Sequence, residues 1–281
     1  MSTAWWTANC GMQLQDAQAA IFGAAPKMVY LIQDHEVDFY ARSSVSGLAQ
    51  ATYGRPDETI ALINSEELAR FMIDRYRFTD AQVVRYEPNP KVAANVTLKP
   101  RERLILVYGR PTVQRNCFNT LVAGLRMWQS QYPEQAGQWR ILSIGESFDI
   151  GLADGVANFD ISGKLSLEDY GSVLSRASVG VSLMASPHPS YPPLEMVAAG
   201  IATVTNRFEN KDLSLRNSAF INIDQLTPEA VAEGLAHAVT TAEPRIGQEF
   251  TGTPIVDIPC SLPTFKAEAL AERLRSYQLP T

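Results

Sequence analysis

Four stretches of the chain hold residues whose types suit the binding of an anion. The first is 108-YGRPTVQRN-116, with Arg110 and Arg115; the second is GES, opening on Gly145; the third is ISGK, ending on Lys164. The fourth, 186-SPHPSYPPLEMVAAGIATVTN-206, crowds four prolines and His188 into eight residues, then carries Glu195 on a segment that reads as a helix. Two arginines and a lysine meeting a helix N-terminus make a diphosphate site. Their charged groups bond phosphate oxygens, and the unpaired N–H groups of the first helical turn add to them. The proline loop fits that chemistry. Pro193 is expected to open the helix, where an N–H would have no partner anyway. The stiffened approach then presents the N–H groups of Ser190 and Tyr191 to the anion. Glu195 is expected in the first helical turn, where its carboxylate accepts two hydrogen bonds from a vicinal diol such as a ribose.

Each of these residues also has a plainer role open to it. A loop arginine or lysine is most often solvated charge. Gly109 and Gly145 suit ordinary turns. Glu195 complements a helix dipole without any ligand, and His188 serves either as a rigid loop residue or as a base. Cys117, at the start of a helix, is either an activated thiolate or a small buried residue. The ordered set carries the argument, not any one member.

These stretches need elements to position them. From about residue 103, apolar runs alternate with helical patterns. RLILVYG (103–109), WRILSIG (139–145), FDISG (159–163), SVGVSLMA (178–185), IATVTN (201–206) and AFINI (219–223) read as strands. NCFNTLVAGLRMWQSQY (116–132) reads as a helix with Phe118, Leu121, Leu125 and Trp128 on one stripe. SLEDYGSVLSRA (166–177) and TPEAVAEGLAHAVTTA (227–242) open on Ser and Thr caps. Strand–helix alternation predicts a doubly wound parallel sheet. In such a sheet ligands sit beyond the carboxyl ends of the strands, where the four stretches fall. Before residue 90 the pattern is thinner. MVYLIQD (28–34) and TIALINS (59–65) read as strands, GLAQATY (47–53) and SEELARFMIDRYRF (65–78) as their helices. The polar, proline-bearing 86–103 reads as a linker, and FKAEALAERLRSYQ (265–278) as a last helix.

Composition narrows the function. The 281 residues carry a net charge of −6, which disfavours nucleic acid as a partner, so any bound anion must be held by local cations. Three scattered cysteines, Cys10, Cys117 and Cys260, suit a reducing cytoplasm and argue against a disulfide framework or a zinc site. The N-terminus lacks a basic region followed by an apolar run, so no signal peptide is expected. No 18-residue apolar run spans a membrane, leaving at most peripheral contact. No GxGxxG follows the first strand and no GxxxxGK[ST] occurs, which disfavours a dinucleotide dehydrogenase and excludes a P-loop NTPase.

The ordered set YGRPTVQRN, SGK and SYPPLEMVAAGIATVTN resembles the donor half of GT-B glycosyltransferases of family 4, closest to bacterial rhamnosyltransferases of cell-surface polysaccharide synthesis. TAWWTA (3–8), VYLIQDHEVDFY (29–40) and GLAQATY (47–53) resemble the acceptor lobe of that branch. The resemblance covers most of residues 3–240. It implies an α/β fold of two Rossmann-like lobes, with residues 1–95 on the acceptor side, 96–262 binding the nucleotide-sugar donor and 263–281 a closing helix. It implies transfer of a sugar, rhamnose in this branch, from a nucleotide diphosphate to a saccharide acceptor, with retention and without an essential metal or cofactor. Carried over by position, Arg115 and Lys164 pair with the diphosphate, with Arg110 and Gly145 beside them. Glu195 binds the donor ribose, and Ser190 and Tyr191 offer backbone donors. The acceptor would approach near Trp5, Trp6, Gln33 and Asp34, with Asp34 and His188 the candidates for catalysis. The chain departs from the family at one point. Where the wider family carries a second glutamate, eight positions before Glu195, this chain has Pro187 followed by His188.

With few strands before the linker, the first lobe is expected to be incomplete. Its uncovered edge and apolar face would favour self-association or a partner chain. Two other readings stand beside the transferase: a non-hydrolysing sugar-nucleotide epimerase, which needs no acceptor, and a degenerate module that binds nucleotide sugar or glycan.

Overall fold

The computed structural model describes residues 1–249 and 261–276; Cys260 and the end of the tail stretch lie outside them. Two parallel sheets form the frame. The first has three strands in the order β1 (Met28–Ile32), β2 (Thr59–Asn64), β3 (Ala81–Val84). MVYLI and TIALIN are almost continuously apolar because a parallel strand buries both of its faces. Helix α1 (Trp5–Phe22) and α3 (Glu66–Tyr76) supply Ala8, Met12, Leu68 and Met72 to a core with Tyr30, Ile32, Ala61 and Ile63. Ser65 caps α3 by accepting from Leu68 N–H, with Glu66 and Glu67 in the first turn. Helix α2 (Ser44–Ala51) follows β1.

The edges and the second face of this three-stranded sheet, expected to lie open, are partly covered by the chain's own ends. Leu270, on the last helix of the chain, packs on the opposite face with Val29, Ile60 and Leu62. Ser2 bridges the β1 edge through Val29 and Leu31 at 2.8 Å each. Residues 263–265 bridge the β3 edge through Val83, and Arg273 ties the last helix to Asp80 at 2.6 and 3.1 Å. TAWWTA is the start of the 18-residue α1, whose outer face leaves Trp6, Leu14 and Ile21 exposed.

The segment expected to link the lobes instead joins the second one. It contains helix α4 (Pro90–Asn95), capped by Asn89. Val92 enters a core with Leu104, Val173, Leu174 and Met196. Thr97 N–H donates to Ser175 Oγ at 2.8 Å. Most of its polar residues face solvent, Arg101 apart, and Val92 is the one fully apolar anchor of its short helix, a pattern too brief to read from the sequence.

The second sheet holds β4 (Leu104–Gly109), β5 (Arg140–Gly145), β6 (Phe159–Gly163), β7 (Val179–Val181), β8 (Ala202–Asn206) and β9 (Phe220–Ile223). All are parallel, in the order β6-β5-β4-β7-β8-β9. Helix α5 (Phe118–Gln131), the short α6 (Pro133–Ala136) and α9 (Pro228–Ala242) lie on one face; α4, α7 (Leu167–Arg176) and α8 (Tyr191–Ala198) lie on the other. The stripe Phe118, Leu121, Leu125, Trp128 is fully inside, and each such side chain contributes roughly 1.5–3 kcal/mol of burial. Helix α10 (Ala267–Ser276) returns to the first sheet.

Strand β7 is shorter than its apolar run suggests. After Val181 the chain leaves the sheet because side chains take its backbone. Met184 N–H donates to Asn206 Oδ1 at 2.7 Å, and Met184 O accepts from Asn206 Nδ2 and Lys211 Nζ. This detour aims residues 184–190 at the first lobe.

Candidate functional site

Strand β4 lies between β5 and β7, so the winding reverses there and a crevice opens between the loops that follow β4 and β7. Arg115 and Ser186 come from those two loops, which are joined by Ala185 N–H donating to Arg115 O at 2.7 Å. The first lobe meets them with Asp34, just past the end of β1. Arg115 Nε lies 3.5 Å from Asp34 Oδ2, and the guanidinium stands 4.0 Å from the Phe39 ring centroid, a cation–π stack. Asp34 is 6% exposed. Its Oδ1 accepts from Ser186 Oγ and, at 2.9 Å, from His35 N–H.

Ser186 Oγ accepts from His188 N–H, and His188 Nδ1 accepts from Ser190 N–H, both at 3.0 Å. The ring proton is therefore on Nε2, which is buried and has no partner among the described residues. Burial lowers His188 to about 4, against the pull of Asp34, so the ring is neutral at pH 7. Lys211 is completely buried and bonds Met184 O at 2.7 Å; burial lowers it to about 7, opposed by Asp34, Cys117 and Glu67. One carboxylate thus sits among an arginine, a lysine and an imidazole N–H in a dry interface.

Further contacts clasp the lobes. Tyr191 donates to Asn64 Oδ1 at 2.8 Å, Arg216 pairs with Glu67, and Asn210 Nδ2 donates to Glu67 O at 2.9 Å. The residues flanking the first contact, Ser65 (φ 113°) and Ser190 (φ 67°), both adopt backbone that favours glycine. Such conformations cost roughly 1–3 kcal/mol each and collect at ligand sites.

The structure places the expected residues unevenly. Arg115, Asp34, Ser190, Tyr191 and His188 gather at the interface. Helix α8 opens at Tyr191 with Pro192 and Pro193 in its first turn, not at Pro193. Ser190 N–H is taken by His188, so it is not free for an anion. The two prolines have no N–H, which leaves Tyr191 N–H as the donor of that helix end. Glu195 lies in the second turn, not the first, so the helix dipole does little for it. It accepts from Tyr170 OH at 2.9 Å and lines a cavity of about 330 Å³ with Tyr86, Val92 and Leu174. Burial raises its carboxyl, partly offset by Tyr170. Gly145 (φ 107°) ends β5 with its Cα against Tyr108 and Arg110, where a side chain would be both strained and crowded. Lys164 is exposed past the end of β6, away from the cluster. Gln33 Nε2 donates to Thr3 O and Trp5 Nε1 to Tyr40 OH, both at 3.0 Å, so these two hold the N-terminus, while Trp6 faces solvent. Burial raises the Cys117 thiol, which rules against an activated thiolate. Sequence reasoning missed Lys211 and Ser186. Lys211 sits in FENKDL, a run that reads as solvated surface.

Changing Glu195 to Gln is expected to leave the melting temperature equal or higher, since a buried carboxylate loses its desolvation penalty and the amide oxygen still accepts from Tyr170. Nucleotide-sugar affinity is expected to fall about five- to tenfold through loss of charge-assisted bonds. Calorimetry and a melt on the same protein test both parts, and unchanged affinity would remove the diol role.

Stability is expected to rise between pH 7 and 9. The unfolded chain keeps Lys211 protonated up to about 10.5, whereas the folded chain releases that proton at about 7. The unfolded state therefore binds more protons in this window, and stability climbs with pH. Lys211→Met should flatten the climb, and a melting curve indifferent to pH in the native chain would contradict the burial of a titrating lysine.

Residues 103–236 match the family described as WsaF, C-terminal domain, and residues 1–66 match WsaF, N-terminal domain. The O-antigen biosynthesis protein RfbC of Myxococcus xanthus is 29% identical over 250 residues, covering 85% of this chain and 18% of that protein. Among solved structures, sucrose-phosphate synthase from Thermosynechococcus elongatus superposes with a TM-score of 0.60 at 14% identity, over 87% of this chain and 65% of that one. WaaG, a glycosyltransferase involved in lipopolysaccharide biosynthesis, gives 0.55 at 14% identity over 78% and 69%. A UDP-forming trehalose-phosphate synthase from Burkholderia xenovorans gives 0.60 at 12% over 86% and 66%. The chain thus spans under a fifth of the curated relative and about two thirds of each of these solved chains. The chain has the GT-B fold, and its residues 1–66 and 103–236 match, in that order, the N-terminal and C-terminal domains of WsaF.

Proposed function

We propose that this chain is a retaining glycosyltransferase that moves a sugar from a nucleotide diphosphate to a saccharide in the synthesis of a surface polysaccharide. The observation that carries the reading is Arg115, set at the switch point of the second lobe and facing Asp34 of the first at 3.5 Å. When the glycosidic bond of the donor breaks, negative charge grows on the departing diphosphate. A cation already held by Phe39 and Asp34 at the cleft stabilises that charge without reorganising. In this reading Tyr191 N–H and Arg110, past the adjacent strands β7 and β4, complete the hold, Lys164 reaches in from the edge strand β6, and Glu195 receives the diol of the nucleoside. His188 Nε2–H, buried and unpartnered among the described residues, would stand in for the family carboxylate as a neutral donor for a hydroxyl of the transferred sugar.

The sequence likeness to rhamnosyltransferases supports a 6-deoxyhexose such as rhamnose, and the O-antigen biosynthesis relative supports a surface polysaccharide as the product. No metal takes part in this reading. The work would be done in the cytoplasm; among the described residues no helix is long and apolar enough to cross a membrane. Any self-association would use the exposed apolar side of α1.

The test is a panel of nucleotide-diphosphate sugars. The true donor at hundredfold excess over its Kd should stabilise the chain by about 2.7 kcal/mol. With an oligosaccharide acceptor present, the product should keep the anomeric configuration of the donor. If no nucleotide sugar raises the melting temperature, the reading is wrong. If donor is consumed without acceptor to give an epimer, it is an epimerase.

A further inference from the structure

The pose of Arg115 is set from the first lobe, by Asp34 at 3.5 Å and by the Phe39 ring at 4.0 Å. Phe39 ends a single 3-10 turn, Glu36–Phe39. A piece that short does not hold itself. Phe39 is also 38% exposed, so core packing does not fix its ring. The turn has to be pinned from outside. At its two ends it is pinned by the N-terminus: Glu36 accepts from Trp5 N–H, and Tyr40 OH accepts from Trp5 Nε1 at 3.0 Å. The middle of the turn is left to Asp38, and Asp38 is held by His35.

His35 touches both first-lobe partners of Arg115. Its backbone N–H donates to Asp34 Oδ1 at 2.9 Å. Its Nδ1 bonds Asp38 Oδ2 at 2.7 Å, and a carboxylate can only accept, so Nδ1 is the donor. Its Nε2 bonds Tyr76 OH, also at 2.7 Å. The ring is 3% exposed and lies edge-on to Phe71, 5.0 Å between centroids, with Tyr53 and Tyr76 around it. Phe71 and Tyr76 belong to α3. The imidazole is thus a strut: one nitrogen rests on α3, and the other holds the turn that carries Phe39. The Asp38 side chain is 36% exposed, so without that bond it would turn to water and release the turn.

We infer that His35 is a positioning residue for Arg115: its Nδ1 bond to Asp38 fixes the Glu36–Phe39 turn and, through Phe39, the pose of the arginine, whereas its Nε2 bond to Tyr76 serves the packing of the first lobe. The inference deepens the transferase reading and rests on it for the role of Arg115 at the diphosphate; the pose of Arg115 does not depend on that reading.

Two substitutions separate the nitrogens. In His35→Asn the amide nitrogen lies near the Nδ1 position and can still donate to Asp38. In His35→Gln the amide reaches the Nε2 position and can still bond Tyr76, but not Asp38. Both remove the ring, so both should lower the melting temperature alike. Asp38→Ala cuts the same bond from the exposed side without disturbing the core, and Tyr76→Phe cuts only the Nε2 bond. Arg115 Nε is out of contact with solvent, which slows exchange of its proton. Its NMR signal, assigned by its loss in Arg115→Lys, should lie upfield through the Phe39 ring current and return to the ordinary arginine position in Phe39→Leu. His35→Asn and Tyr76→Phe should keep the upfield signal and an affinity for UDP or dTDP within about twofold of native. His35→Gln and Asp38→Ala should lose the shift and bind the nucleotide about fivefold more weakly, as expected when a cation loses its stacking partner. An ordinary Arg115 signal in the native chain would overturn the inference. So would equal responses to Asn and Gln, a signal unmoved in Asp38→Ala, or a signal that moves while nucleotide affinity stays native. If no nucleotide binds the native chain but the signal follows the expected pattern, His35 stands as the residue that positions Arg115 and the transferase reading alone falls.

Discussion

Arg115→Ala is expected to weaken binding of UDP or dTDP by roughly ten- to a hundredfold. A charge-assisted bond to phosphate is worth about 1.5–3 kcal/mol, and each 1.4 kcal/mol is a factor of ten. The same change should lower the melting temperature, because Asp34, 6% exposed, would lose the cation facing it. Lys164→Ala makes the contrast. Lys164 is exposed and lies outside the buried cluster, so its loss should weaken nucleotide binding without altering stability. Isothermal calorimetry with thermal melts on both variants separates the two roles. Native affinity in Arg115→Ala would end the assignment of the switch-point arginine to the diphosphate.

The largest effect on folding is expected at Arg101. This residue lies in the segment that read as a linker, yet it is 5% exposed. Its guanidinium donates to Leu174 O at 2.8 Å, to Ala177 O at 2.7 Å and to Ala199 O. Those are carbonyls at the ends of α7 and α8, which have no partner inside their own helices. Burial lowers the arginine to about 10, a measure of how dry its surroundings are. In Arg101→Met the carbonyls stay buried and lose their donor, at a cost of about 3–5 kcal/mol. Arg101→Lys should recover only part, since one ammonium cannot span three carbonyls. Chemical denaturation measures both, and a midpoint unchanged in Arg101→Met would show that the helix ends are held by something else. Because α8 carries Glu195, a loosened α8 should also lower nucleotide-sugar affinity.

The second lobe was largely legible in the sequence. Its strands bury both faces and so appear as β-branched runs, and its helices carry one apolar stripe and a capping residue, as in Ser166 with α7 and Thr227 with α9. Those patterns are local, and residues 103–245 repeat them. Arg115 was found because it follows the first strand of that series, and the position of a loop after a parallel strand is a consequence of winding.

What stayed hidden depends on contacts between distant residues. No local pattern shows that residues 263–273 return to the first sheet, because that needs Leu270 to meet Val29 and Arg273 to meet Asp80. Nor can spacing show that Lys211 is buried; its own neighbours are polar, and its partner Met184 is held from another loop. The course of the proline loop was read from helix-capping preferences, yet the tertiary structure decided it: His188 turns back onto Ser190 N–H and Ser186 reaches Asp34 of the other lobe, which draws Ser190 into strained backbone and starts the helix at Tyr191. Sequence by itself determined the doubly wound frame, through the periodic burial that a parallel sheet imposes. The cluster around Asp34 was decided only when the lobes met, and the covering of the first sheet only when the chain's ends returned to it, because hydrogen bonds and charges between distant residues leave no period in the chain.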